Sequence, residues 1–279
     1  MFSTITTALA LCLGATLCDG PIETVAEGFK FTEGPVWVDD HLIFSDIPAN
    51  RIYTEDKEVF REPSNQSNGL TLDAEGRLIA AEHKARRISR TEKDGTITTL
   101  ADNWEGKKLH SPNDVIVRSD GTIYFTDPPY GGNPKELDFQ AVYSISPDGK
   151  LNKLVDDFIK PNGLALSPDE SILYVADTEG KHIRAFDVAK DGSVSKGRVH
   201  CELPGPDGIK VDVEGRIWAT ASDGVRVINT DGTLLETIEF PRNPANCCFG
   251  GKDGKTLYVT ARQGLYKVRT KVEGIRPGK

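Results

Sequence analysis

The amino-acid sequence predicts an all-β fold, a six-bladed β-propeller. Three observations carry this. One motif is written six times, first from Glu33 to Asp46 and again from Asn68, Asn113, Asn162, Asp207 and Asn246. The copies recur at roughly 35 to 49 residues, a spacing that marks propellers, solenoids and arrays. Short β-branched and aromatic runs bounded by turn residues fill the intervals, and no convincing amphipathic helix interrupts them.

Each unit opens on Glu, Asn or Asp and continues into a short apolar run, the first strand. A turn such as Ala74-Glu75-Gly76, Ser119-Asp120-Gly121 or Lys252-Asp253-Gly254 leads into a second run, LIF, TIYF, ILYV or TLYV. Third strands read RIYT, RRISR, VYSIS, IRAFDV, VRVIN and LYKVR. Asp-Gly turns at 94–95, 148–149, 191–192 and 231–232 then introduce fourth strands, ITTLAD, LNKLVDD, RVHCEL and LLETIEF. The stretch from Asn103 to Leu109 fits no repeat and is expected as a loop at the mouth of the third blade. The last unit lacks a fourth strand. The segment ETVAEGF, ahead of the first unit, is expected to pair with it and close the ring, which removes an exposed sheet edge.

Residues 1–20, MFSTITTALALCLGATLCDG, are apolar or small with no acid before Asp19, and read as the hydrophobic region of an export leader. The expectation is therefore an exported protein, periplasmic or secreted, whose residues 21–279 form one propeller domain; a cytoplasmic protein is the alternative. The leader does not read as a membrane span. Of 279 residues, 38% are hydrophobic and 27% charged, which argues against disorder. The formal net charge of -8 repels phosphate backbones, so nucleic acid is not an expected partner, while cations are favoured. The five cysteines, Cys12, Cys18, Cys201, Cys247 and Cys248, have no metal-ligand spacing and read as small buried side chains. Nothing in the pattern sets an oligomeric state.

In a propeller the innermost strands line a central channel. Glu33, Asn68, Asn113, Asn162, Asp207 and Asn246 open these strands and should converge on the axis. An isolated Asn-Gly is ordinary turn chemistry, and Asn68 and Asn246 are the two most easily assigned to structure alone. Six equivalent oxygen-bearing positions, two of them carboxylates and none cationic, instead suggest a hard divalent cation. Calcium comes first because it tolerates irregular geometry, ahead of magnesium and manganese. A second ring, Asp46, Glu82, Asp127 and Asp177, ends the second strands. Asp46 and Asp177 read as caps on backbone amides; Glu82 and Asp127 could equally line a pocket.

The stretches FTEGPVW, SPNDVIVRSDGTIYFTDPPYG, KPNGLALSPDESILYVADT and PDGIKVDVEGRIW, read together, resemble the gluconolactonase and regucalcin (senescence marker protein) family over roughly residues 22–270. The resemblance implies a six-bladed propeller, a small-molecule lactone substrate and a metal-dependent lactonase activity. It implies that Glu33, Asn162 and Asp207 bind the metal, that Asp207 is also the general base, and that Asn113 contacts substrate. Family members use different divalent ions, so magnesium, manganese and zinc remain alternatives to calcium. One position departs: Ser111 stands where regucalcin-like members carry an arginine that holds sugar hydroxyls. His110, Lys108 or Tyr130 are the candidates to replace that contact, and Ser111 and Asp127 complete the expected substrate side. The expected chemistry is attack of water on a lactone carbonyl with Asp207 taking the proton. GxSxG is absent and the five histidines fall mostly in turns or outer strands, which argues against a covalent serine hydrolase. Ester or phosphotriester hydrolysis on the same metal, and a non-catalytic propeller that binds a sugar or a protein, are the competing readings.

Overall fold

The structure, a computed structural model, describes residues 16–278. Most of the expected leader, residues 1–15, lies outside the described residues. Six four-stranded antiparallel sheets follow one another along the chain. Their innermost strands are Thr32–Val38, Ser67–Leu72, Val115–Val117, Pro161–Leu166, Ile209–Val211 and Asn246–Gly250. The expected closure is present. Glu23–Glu27 pairs antiparallel with Gly264–Arg269, so the first strand of the ring completes its last blade.

Two details differ from expectation. The first blade has a fourth strand, Val59–Arg61, too short and too flanked by charge to stand out in the sequence. The stretch expected as a loop folds partly into a hairpin, Asn103–Trp104 against Lys107–Lys108. Trp104 anchors it on Tyr143, with ring centroids 5.7 Å apart, and burial of that indole accounts for the added order.

The core is divided in six, one cluster between each pair of neighbouring blades. Ile79 and Ala81 face the third blade with Phe125 and Tyr143, while Leu78 and Ala80 face the first with Val36 and Ile43. Tyr124 and Val142 turn the other way, onto Leu164 and Val175 of the fourth blade. Ala26 of the closing strand packs with Phe44 of the first blade and Leu265 of the sixth. Side chains alternate across each strand, and here both faces are buried, so the second strands read as unbroken apolar runs. Each fully buried aliphatic or aromatic side chain contributes about 1.5–3 kcal/mol. The C-terminal residues run over the rear of the ring, where Ile275 N donates to Val211 O and Gly274 N to Gly254 O. Thr16 to Asp19 also lie on the ring: Cys18 forms a bridge with Thr270, and Leu17 packs on the core of blades five and six.

Candidate active site on the propeller axis

Three local devices bring the leading residues to the axis. The first is a bulge. Strand register shifts between Glu33 and Val36, Ser67 and Leu70, and Pro161 and Leu164, so Glu33, Asn68 and Asn162 stand where the backbone is re-aimed. The second is glycine. A Cβ on Gly163 would lie 2.3 Å from Asp207 O, and one on Gly34 1.9 Å from Asn68 O. Neighbouring innermost strands touch backbone to backbone, and Gly163 N donates to Asp207 O at 3.1 Å. The Asn-Gly and Asp-Gly pairs of blades two, four and five therefore serve close approach; of the four leading-pair glycines only Gly34 has a left-handed φ, 49°.

The third device is the second acidic ring. Asp46 accepts hydrogen bonds from Lys30 N and Phe31 N, Asp127 from His110 N and Ser111 N, and Asp177 from Ile159 N and Lys160 N. Each carboxylate clamps the two amides that lie three and two residues before a leading residue. Asp127, a candidate for substrate contact by sequence, is wholly buried with both oxygens spent this way, so it positions Asn113 and does not face a ligand. Burial pushes its carboxyl up to about 7 against those two amides. Glu82, its counterpart in blade two, is tied instead to Arg61, Arg87 and Ser89.

Glu33, Asn162 and Asp207 come together. Glu33 is buried and Asp207 partly open. Burial raises the Glu33 carboxyl well above the ordinary range, and the Asp207 and Asp114 charges add to this against the amide of Gly34. Burial likewise pushes Asp207 up to about 7, with the Asn162 amide and Arg262 opposing and Asp114 reinforcing. Asn162 Nδ2 also donates to Thr178 Oγ1 at 3.0 Å and lies 3.3 Å from the Tyr130 hydroxyl.

On the substrate side the structure separates the candidates. The Asn113 side chain makes no hydrogen bond among the described residues, and its backbone is fixed to Thr126 O and Gly69 N. Tyr130 is 38% exposed, beside Asn162, with Lys160 over its ring at 4.8 Å; burial of the hydroxyl pushes it up to about 12. Ser111 is wholly buried, and its Oγ accepts Gly131 N at 2.9 Å and Asn133 Nδ2 at 3.2 Å. His110 is buried with Nε2 3.0 Å from Phe139 O. Lys108 pairs with Asp102 away from the axis. Ser111 and His110 thus anchor the loop 128–140 and do not reach the channel. Asn133 pins that loop across blades two and three, donating also to His83 O at 2.8 Å and to His110 O. The loop anchored in this way carries Tyr130 to the side of Asn162.

Sequence reasoning missed three residues. Asp114, 2% exposed, acts on both Glu33 and Asp207. Lys210 Nζ lies 3.9 Å from Asp114 Oδ2, and Arg262 faces Asp207 from the exposed rim, stacked over Phe31 at 5.2 Å. The signals were present: the residue after the leading one is glycine in four blades but Asp114 in the third, and Lys210 is a charge in an otherwise apolar innermost strand.

The donor set fits a hard cation. Among the described residues no three His, Cys, Asp or Glu side chains form a ligating cluster. The axis offers two carboxylates with amides instead. Asn68 Oδ1 and Asp114 Oδ2 are buried without a hydrogen-bond partner, and the raised Glu33 carboxyl has no ion-pair partner among the described residues. Among the described residues no helix is long and apolar enough to cross a membrane.

Comparison with known proteins agrees with this fold. Residues 31–263 match the family described as SMP-30/Gluconolactonase/LRE-like region. The chain is 35% identical to a gluconolactonase of Zymomonas mobilis over 91% of its own length and 82% of that protein's. It is 31% identical to the regucalcin of Bos taurus over 84% of each. A solved gluconolactonase from Xanthomonas campestris superposes with a TM-score of 0.84 at 36% identity, covering 89% of each chain. The chain belongs to the SMP-30/gluconolactonase/LRE-like family.

Proposed function

We propose that this chain opens the ester bond of a sugar lactone, using one divalent cation, calcium first in order, held by Glu33, Asn162 and Asp207. The observation that carries the reading is the meeting of Glu33 and Asp207 on the axis, two carboxyls whose repulsion an axial cation relieves. The ion would supply the positive charge that stabilises an oxyanion developing on the lactone carbonyl. Asp207, partly open to the channel and poised near neutrality, accepts a proton from the water that attacks the carbonyl carbon. The ring C–O bond breaks, and the proton held by Asp207 passes to the departing ring oxygen, giving a hydroxy acid. Asn113 donates its free amide to the bound sugar, and the Tyr130 hydroxyl meets it from the loop above. Asp127 and Gly163 hold these groups in place without touching the sugar.

Lactone-ring opening by Asp207→Asn tests the assignment. Turnover should fall about 10²–10⁴-fold with the circular-dichroism spectrum unchanged. Turnover near that of the unaltered protein would overturn it.

A further inference from the structure

We propose that Lys210 is a resident counter-ion of the axial site, which offsets the buried Asp114 charge and thereby limits how many divalent cations bind there and how tightly. This rests on the reading of Glu33, Asn162 and Asp207 as ligands.

Lys210 stands on the innermost strand of the fifth blade, paired with Trp218. Counting three positions on from the leading residue, the other blades carry Val36, Thr71, Ile116, Ala165 and Phe249. The strand itself has no need of a lysine there. The side chain is 19% exposed. Its Nζ donates to Ile209 O at 3.0 Å and lies 3.5 Å from Asn246 Oδ1 and 3.9 Å from Asp114 Oδ2. That Asp114 oxygen is buried without a hydrogen bond, and among the described residues Lys210 is the one cation that pairs with it. A buried charge of this kind persists only when paired.

Asp114 in turn acts on both Glu33 and Asp207. Lys210 is the buried cation set against that Asp114 charge, so its removal leaves the surroundings of Glu33 and Asp207 one charge more negative. Arg262 also opposes the Asp207 charge, but from the exposed rim, where it is open to solvent, whereas Lys210 is largely buried. Lys210 also lines a cavity of about 730 Å³ that occupies the rear of the channel with Val36, Leu70, Val115, Val211 and Phe249. It therefore lines the rear of the channel while its Nζ reaches Asn246 Oδ1 and the Asp114 carboxylate. A lysine that only paired with Asp114 for stability would leave ion affinity unmoved, so affinity is the quantity to read.

The experiment is calorimetric titration of metal-stripped protein with calcium chloride, with metal analysis after gel filtration and circular dichroism to confirm folding. The unaltered chain should bind one ion. Lys210→Met should bind calcium about tenfold more tightly, or take a second ion, because a full charge has left a poorly solvated site. Lys210→Arg should stay within about threefold of the unaltered protein, Asp114→Asn should weaken binding about tenfold, and the double variant K210M/D114N should return close to the original affinity. If Lys210→Met does not fold, Asp114→Asn and the double variant carry the same comparison. Identical stoichiometry and affinity in folded Lys210→Met and the unaltered chain would overturn the counter-ion role and leave the ligand assignment standing. A folded unaltered chain that binds no divalent ion would overturn both.

Discussion

A methyl group at position 163 should disable hydrolysis without altering any side chain that handles substrate. In Gly163→Ala the new Cβ would sit 2.3 Å from Asp207 O, 2.7 Å from Ile209 N and 2.8 Å from Gly208 Cα. All three are backbone atoms, so no flexible side chain can swing away. Ordinary contact begins at 3.4 Å, which leaves a shortfall of about 1.1 Å against the 2.3 Å available. The fourth and fifth innermost strands must part by that amount, stretching the Gly163 N to Asp207 O hydrogen bond from 3.1 Å. Displacing a reacting group by about 1 Å costs on the order of 10² in rate. Over-packing of this kind destabilises a fold by about 1–3 kcal/mol, which lowers Tm by roughly 3–10 °C in a chain of this size. The assay is kcat/KM for lactone hydrolysis by acid release, alongside a thermal melt. The expected result is a fall of about 100-fold with a folded protein. A kcat/KM within about threefold of the unaltered enzyme and an unmoved Tm would refute the claim that strand contact at the axis places Asp207.

In metal-free protein the raised Asp207 and Glu33 carboxyls favour folding in full below the usual carboxylate pKa, and that contribution is lost as pH rises through about 7 for Asp207. Tm of the stripped protein should therefore fall between about pH 5 and about pH 8, and calcium should flatten the fall; a stripped protein with level Tm across that range would contradict the buried pair. Removing residues 23–27 deletes four register pairs with the last blade, and should lower Tm by roughly 10 °C and promote association through the bared edge, read by light scattering; unchanged Tm and scattering would show the closure to be dispensable. Asn133→Ala removes the amide that holds the loop 128–140 to His83 O, His110 O and Ser111 Oγ, so KM should rise several-fold, about 1–3 kcal/mol of anchoring being lost; protease cleavage of that loop should accelerate, and unchanged KM and cleavage would remove Tyr130 from the substrate side. If residues 1–20 are a leader, N-terminal sequencing of exported protein should begin close to Pro21, ahead of the closing strand at Glu23; an exported chain retaining Met1 would reject cleavage.

The ring was legible because its periodicity is written in residue types that turns and innermost strands require. The six leading residues, the turn glycines and ETVAEGF as the closing strand all follow from spacing and the need to pair an edge. What the pattern hid depends on direction and depth. Asp46 reads as a cap on backbone amides from the sequence, whereas only geometry shows that Asp127, at the same repeat position, is one too. Ser111 reads as a lost substrate contact until Gly131 and Asn133 are seen to need its hydroxyl. Asp114 and Lys210 break the repeat, so a search for its recurring members passes over them. The glycine after four of the leading residues looks like turn chemistry, whereas at Gly163 the requirement is the neighbouring strand, whose Asp207 O would lie 2.3 Å from an added Cβ.

The most direct test of a cation-assisted lactonase centred on Glu33, Asn162 and Asp207 is hydrolysis of glucono-δ-lactone by chelator-stripped protein, with and without calcium, magnesium, manganese or zinc. The account predicts negligible activity after stripping and recovery with at least one ion, calcium first. Full activity in protein that metal analysis shows to be free of ions would contradict it.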